Sequence, residues 1–160
     1  MSEVLENLER NLREQVKCYT ELYDLGKSKQ KALIENSVQE IDKITAREEQ
    51  LFPDVKRLEK ERLLFTEQIG LELGQAPESL TLVVLAERFP VLQGVHSDLE
   101  RVIGELQRIH DINTQLLQQS MGIVNFTLGL LMYQEKNTYT HPGRNGKDMD
   151  EKLHLLDWRI

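Results

Sequence analysis

The stretch "LQGVHSDLERVIGELQRIHDINTQLL", residues 92–117, decides the fold of this chain. Its apolar side chains recur at alternating steps of three and four residues, which is the spacing of one face of an α-helix that packs along other helices. The pattern predicts a third long helix that begins near Pro90 and ends near residue 134. Its stripe consists of Leu92, Val95, Leu99, Val102, Leu106, Ile109, Asn113, Leu116, Ser120, Ile123, Thr127 and Leu130.

Two partners for this helix lie earlier in the chain, from Ser2 to Glu35 and from Val38 to Leu73, each with a stripe of helical spacing. Ser37 and Glu40 have the spacing of a capping box, and Pro53 predicts a kink, or less favourably a break, in the second helix. The first stripe is Leu5, Leu8, Leu12, Val16, Tyr19, Leu22 or Tyr23, Gly26 and Leu33, and the second is Ile41, Ile44, Glu48, Leu51, Val55, Leu58, Arg62, Phe65 and Ile69.

The remaining segments are short or polar. Residues 79–88 predict a short helix capped by Ser79, because a strand there would have no second strand to pair with. From residue 135 a polar, glycine-containing linker leads to an amphipathic segment with Met149, Leu153, Leu156, Trp158 and Ile160. We therefore expect an all-α fold: an elongated antiparallel helical bundle or coiled-coil hairpin over residues 1–134, with three long helices and one short one, and a flexible tail over residues 135–160.

Three polar side chains fall on the apolar stripes. Asn113 lies where a leucine is expected, and an amide in a helical seam fixes the alignment of the helices at some loss of stability. Glu48 and Arg62 lie on the second stripe. We favour flank positions from which these long side chains reach water, and an interhelical ion pair is the alternative.

Composition narrows the classes of function. The chain has 160 residues and a formal net charge of −7, which argues against a nucleic-acid surface. Its single cysteine, Cys18, excludes an internal disulfide. The start, "MSEVLENLER", is acidic and unlike a signal peptide, and the uncharged run at residues 113–134 is too polar to span a membrane. We expect a cytoplasmic protein.

The sequence contains no pattern of residues typical of an enzyme active site. The histidines are scattered, none with metal-ligand spacing, and "GRNGKD" lacks the spacing of a phosphate-binding loop. A phosphoryl-accepting histidine in a helical bundle is the best enzymatic alternative, but His96 and His110 are followed closely by acidic residues that would repel the incoming group. We expect a binding protein without catalytic residues, cofactor or metal.

The segment "GIVNFTLGLLMYQ", residues 122–134, is apolar on more than one face, whereas a bundle core uses only one stripe. The surplus predicts a docking surface for another helix, and cover by the short helix at 79–88 is the alternative. The candidate docking residues are Ile123, Val124, Phe126, Leu128, Leu130, Leu131 and Met132.

Three motifs give the chain a family resemblance. "INTQLL" at 112–117 contains N-x-x-L-L, "QLFPDVKRLEKER" at 50–62 contains paired large apolar residues followed by L-E-x-x-R, and "TYTHPGRNG" at 138–146 has a tyrosine followed by a glycine. In this order and spacing the chain resembles the FlgN-like flagellar export chaperones. It departs from the family at Thr114, where glycine is frequent, and at Pro53.

The resemblance implies a non-enzymatic cytoplasmic chaperone. Such chaperones bind the C-terminal helical region of hook-associated (hook–filament junction) proteins and keep them unassembled until export, with export-apparatus components as possible further partners. Tyr139 then joins the client-binding residues, and the tail covers the client site or packs on the body. We expect a monomer or weak dimer. The alternative function is a coiled-coil scaffold that homodimerises through its third long helix.

Overall fold

The computed structural model describes residues 1–134, apart from the side chains at 123, 124, 127, 133 and 134. Four helices follow one another: α1 (Ser2–Ile34), α2 (Val38–Leu73), α3 (Leu82–Arg88) and α4 (Gln93–Gln134). Short 3-10 turns at Pro77–Ser79 and Pro90–Leu92 flank α3. The described residues contain no strand, so the prediction of an all-α helical bundle is confirmed, as is the choice of helix over strand for residues 82–88.

Two local features of the turn between α1 and α2 end helix α1. Asn36 adopts a left-handed φ of 54°, which asparagine tolerates better than most residues. The Ser37 amide then donates to the Ala32 carbonyl oxygen at 2.9 Å, which satisfies an acceptor at the end of α1. Gly74, the residue directly after α2, is also left-handed, with a φ of 64°.

Helices α1 and α2 form an antiparallel hairpin. The Met1 ammonium lies 3.0 Å from a carboxylate oxygen of Glu72 at one end. Nearer the middle, the Asn11 side-chain amide donates to the Leu58 carbonyl oxygen at 3.0 Å. Residues early in α1 thus meet residues late in α2.

Helix α4 runs parallel to α1. The Asn113 amide reaches the Gly26 carbonyl oxygen, a partner 87 residues earlier in the chain. Five further buried residues of α4, and Leu92 in the turn just before it, each lie 87 residues after a buried residue of α1, as expected for parallel helices in this register. These pairs are Leu5 with Leu92, Leu8 with Val95, Leu12 with Leu99, Gln15 with Val102, Tyr19 with Leu106, and Leu22 with Ile109.

The core follows the predicted stripes with a few displacements, except that burial on the third stripe ends at Asn113: Leu116 is half-buried and Leu130 is 52% exposed. Gln15 is buried where Val16 was expected, and Thr66 is buried beside a half-buried Phe65. Both shifts are by one residue, which is 100° around a helix and so within the width of a buried face.

Two predicted caps are wrong. Ser37 is the N-cap residue of α2, but its side chain makes no cap hydrogen bond, and Glu40 instead lies 3.0 Å from the Lys43 ammonium. Helix α3 is capped by Thr81, whose hydroxyl accepts from the Val84 amide at 3.4 Å, and not by Ser79. Pro53 lies within an uninterrupted α2, so the helix does not break there.

The chain divides into two compact units, Met1–Gly122 and Ile123–Ile160, and α4 contributes residues to both. The first unit holds the buried core. The predicted boundary between a bundle and a tail at residue 134 stays a prediction. Among the described helices none has the length and apolar content needed to cross a membrane.

Candidate functional site

The last turns of α4 carry large apolar side chains that are half exposed or more. Phe126 is 69% exposed and Met132 61%. Leu128, Leu130 and Leu131 are 50–52% exposed. We call these five residues the α4 end surface. Exposed apolar side chains scattered singly are ordinary, but five within seven residues of one helix form a concentrated patch.

The α4 end surface covers more than one side of the helix. Phe126 and Leu130 are four residues apart and share one side. Leu128 and Met132 have the same relation and lie about 200° further round, because each residue turns the helix by about 100°. A single helix laid against α4 therefore covers only part of this surface.

Several predicted site residues are outside what the structure describes. The backbone of Ile123 and Val124 lies in α4, but their side chains are outside the described part of the chain. Tyr139 and the amphipathic tail segment also lie outside the described residues, so their roles stay predictions. That segment comprises Met149, Leu153, Leu156, Trp158 and Ile160.

Asn113 lies at the predicted seam position, in the core. It is buried, and its Nδ2 donates to the Gly26 carbonyl oxygen at 2.8 Å. A Cβ at residue 26 would lie 2.8 Å from Ile109 Cγ2, so the absence of a side chain at Gly26 is what lets α4 approach so closely. The Asn113 Oδ1 and the Thr114 hydroxyl are buried and have no hydrogen-bond partner among the described residues.

The two charged residues on the α2 stripe differ in their environment. Glu48 is buried and pairs with the Lys29 ammonium of α1. For Glu48 the alternative interpretation, an interhelical ion pair, is therefore the one observed, and not a flank position that reaches water. Arg62 is half-buried and pairs with Glu59 on its own helix at 2.9 Å. Only Glu48 thus links two helices.

Sequence reasoning missed a second buried polar group. Gln15 donates to the Asn11 side-chain oxygen at 2.8 Å, and Asn11 donates to the Leu58 carbonyl oxygen. The separation of four residues between Asn11 and Gln15 was available as a signal, because side chains four apart on a helix are neighbours. Their burial depended on where α2 lies.

Two titratable groups near this part of the core have perturbed pKa values. Burial raises the pKa of the Tyr19 phenol, and the nearby Glu59 carboxylate raises it further. Burial also raises the pKa of the Cys18 thiol, assisted by the carboxylates of Asp54 and Glu21. Both groups are therefore held in their neutral forms, and the thiol is a poor nucleophile at neutral pH.

The described residues hold no group of three or more histidine, cysteine, aspartate or glutamate side chains arranged to bind a metal ion. His96 Nε2 lies 3.6 Å from a Glu100 carboxylate oxygen. A carboxylate at this distance would repel an incoming phosphoryl group, as the sequence interpretation expected.

The described residues form an all-α protein whose last helix ends in exposed apolar side chains. The sequence model of the FlgN protein family matches residues 1–147. Because this match covers most of the chain, the chain belongs to the FlgN family and is a flagellar export chaperone. No curated protein and no solved structure matches it significantly.

Proposed function

We propose that this chaperone binds the C-terminal helical region of hook–filament junction proteins in the cytoplasm and keeps them unassembled until export. The observation that supports the proposal is the exposure of five large apolar side chains on the α4 end surface. A client helix laid along α4 would remove from water those that face it, which is the helix-in-groove mode of recognition.

The size of this surface argues for reversible binding. Burying the exposed half of a leucine or phenylalanine side chain contributes roughly 1 kcal/mol, so the two or three residues that one client helix can cover contribute roughly 2–3 kcal/mol from this side of the contact. Association and the ordering of a helix oppose binding by a similar or larger amount. The client's own apolar residues must supply the rest, and we expect a dissociation constant on the order of micromolar, which suits a client that is later released.

The alternative, a scaffold that homodimerises through α4, is weakened by the core. The seam from Leu92 to Asn113 is buried within one chain, and its Asn113 donates a hydrogen bond to Gly26 of α1. It is therefore not available to a second copy without unfolding the bundle. A dimer contact would have to use the α4 end surface instead, where it would compete with the client.

We further propose that the tail segment from Met149 to Ile160 covers the α4 end surface until a client displaces it. The support is its amphipathic sequence and the linker of about a dozen residues before it, which together favour a weak intramolecular contact. Deleting residues 147–160 is expected to tighten client binding in titration calorimetry. An unchanged affinity would refute this part of the proposal.

The decisive experiment compares two leucines of similar exposure. Leu131→Gln removes an apolar contact from the α4 end surface, and Leu64→Gln makes the same change on α2, where the leucine is 56% exposed. Each purified full-length variant is titrated with the C-terminal helical region of the cognate junction protein.

We expect Leu131→Gln to weaken binding about tenfold or more, as loss of a central apolar contact does, and Leu64→Gln to leave it unchanged. Both melting temperatures should stay close to that of the parent chain because both side chains are largely in water. Equal affinities for the two variants, or no binding by the parent chain, would contradict the proposal. A concentration-dependent dimer that persists with bound client would favour the scaffold.

A further inference from the structure

The Gly26–Asn113 pair differs from the other pairs along the α1–α4 seam. In the six pairs before it, from Leu5 with Leu92 to Leu22 with Ile109, the second member is a buried apolar side chain. In the seventh pair α4 contributes an amide, Asn113, which is only 7% exposed. We call this seventh pair the polar layer.

The polar layer is incompletely satisfied. Asn113 Nδ2 donates to the Gly26 carbonyl oxygen at 2.8 Å, but Asn113 Oδ1 accepts no hydrogen bond from the described residues. The hydroxyl of the next residue, Thr114, is buried in the same condition. Buried polar atoms without partners are unfavourable relative to the same atoms in water, so separation of the helices at this layer relieves a penalty that the apolar pairs lack.

Beyond the polar layer α4 has little that holds it to the hairpin. Leu116 and Leu117 are half-buried, and among the described side chains of α4 none after Asn113 is buried. In the register of the Gly26–Asn113 pair, the residue of α4 that pairs with Leu33 of α1 is the polar Ser120. Hydrophobic attachment of residues 114–122 is therefore weaker than that of residues 92–109.

The end of the hairpin next to the α1–α2 turn is held together by contacts that do not involve α4. The Lys29 ammonium pairs with the Glu48 carboxylate, which joins α1 to α2 without using α4. Ala32, Leu33 and Ile44 are buried in the same part of the hairpin. Departure of α4 would leave this end of the hairpin closed and would give water or a ligand access to its apolar residues.

We propose that α4 opens at the polar layer. Residues 114–122 separate from the hairpin as a unit while the apolar pairs from Leu92 to Ile109 stay closed, and the opening uncovers Ala32, Leu33 and Ile44 for the client helix. The uncovering of these residues for a client rests on the proposed function. The opening itself concerns the free chain alone.

Amide hydrogen exchange on the free, full-length chain tests the opening. We expect the amides of residues 114–122 to exchange about 100-fold faster than those of residues 99–109, because local opening exposes the first set and only global unfolding exposes the second. Similar exchange rates in the two segments would overturn the proposal.

Asn113→Leu is the matched perturbation. Leucine has nearly the shape of asparagine and carries no oxygen to be buried, and the Gly26 carbonyl lies inside α1, where the helix supplies its own donor. We expect exchange of residues 114–122 to slow about tenfold, with residues 99–109 unchanged. Asn125→Leu makes the same substitution at an exposed position of α4 and controls for helix propensity. Equal slowing by both variants, or none by Asn113→Leu, would refute a role for the polar layer.

If Asn113→Leu does not yield a folded protein, a second variant tests the opening by a change that should accelerate amide exchange of residues 114–122. Gly26→Ala places a Cβ 2.8 Å from Ile109 Cγ2 and should force the layer apart, so that residues 114–122 exchange faster. Unchanged exchange in that segment would count against the proposal.

Client titration separates the two halves of the proposal. If the client requires the open form, Asn113→Leu should weaken its binding by the same factor of about ten by which it reduces opening. An unchanged affinity alongside slowed exchange would overturn the uncovering of Ala32, Leu33 and Ile44. A parent chain that opens as expected but binds no junction-protein helix would refute the proposed function and leave the opening at the polar layer standing.

Discussion

Replacing Gly26 by alanine tests the closest approach between α1 and α4. The new Cβ would lie 2.8 Å from Ile109 Cγ2 and 3.4 Å from Ile109 Cγ1, and the first distance is shorter than side chains tolerate. Isoleucine in a helix is confined to essentially one χ1 rotamer, so Ile109 has no easy way to turn aside. The helices must then move apart, and overpacking of this kind destabilises by about 1–3 kcal/mol.

The substitution also has a favourable term. Alanine is better than glycine inside a helix by about 1 kcal/mol, so the net change at residue 26 is a loss of about 1 kcal/mol. Gly104 of α4 offers the control, because a Cβ there meets nothing within 4 Å. Gly104→Ala should stabilise by up to about 1 kcal/mol, since only the helix propensity changes.

Urea unfolding followed by circular dichroism measures the difference between the two variants. We expect a lower midpoint for Gly26→Ala and a higher one for Gly104→Ala, separated by about 1 M urea if the slope is about 2 kcal/mol per M. The double variant Gly26→Ala with Ile109→Ala should be more stable than the sum of the two single changes allows, by about 1–3 kcal/mol, because truncating Ile109 removes the clash. A Gly26→Ala midpoint as high as that of Gly104→Ala, with additive effects in the double variant, would refute the close approach.

Three other measurements follow from the core. Lys29→Met should destabilise by about 2 kcal/mol because it leaves the mostly buried Glu48 carboxylate without its partner, and Lys29→Met combined with Glu48→Leu should recover most of that loss in the same urea assay. The raised pKa of Tyr19 means that the folded state holds its phenolic proton more tightly than the unfolded state, so this stability is complete below the ordinary pKa of 10.0 and declines as the pH rises above it. Tyr19→Phe should flatten that alkaline decline, and a parent chain whose midpoint is constant from pH 9 to about 11 would contradict the shift. Cys18, whose thiol pKa is raised, should react with iodoacetamide at pH 8 more slowly than the same thiol in urea-unfolded chain, and equal rates would show that burial does not protect it.

The helices could be predicted from the sequence because their stripes are long and regular. The bounds of α2, Val38–Leu73, match the predicted ones, and the seam from Leu92 to Asn113 is buried at every predicted position. Over many turns a period of three and four residues excludes other structures, and this holds whether or not the partner helices are known.

Features that depend on the position of one helix against another were not accessible in this way. The pairing of Lys29 with Glu48 and the burial of Gln15 require the register between helices, which no single stripe contains. The predicted capping box was wrong for a different reason. Ser37 has the required spacing, but local backbone geometry decides whether its hydroxyl reaches an amide.

The candidate site was partly predictable. The surplus of apolar residues near the end of α4 could be read from the sequence, and the exposure of Phe126, Leu128, Leu130, Leu131 and Met132 agrees with it. The sequence does not show what binds there, because an apolar helical surface favours amphipathic helices in general and the identity of a client depends on the client's own sequence.

The parallel arrangement of α1 and α4 has a consequence for biosynthesis. The hairpin of α1 and α2 is complete once residue 73 has left the ribosome, because its contacts join neighbouring helices. The first helix must then wait for a partner 87 residues downstream, and closing so long a loop is slow compared with forming the hairpin. One side of the nascent hairpin therefore stays uncovered until α4 has left the ribosome, and during that interval it is open to aggregation or to capture by another amphipathic helix.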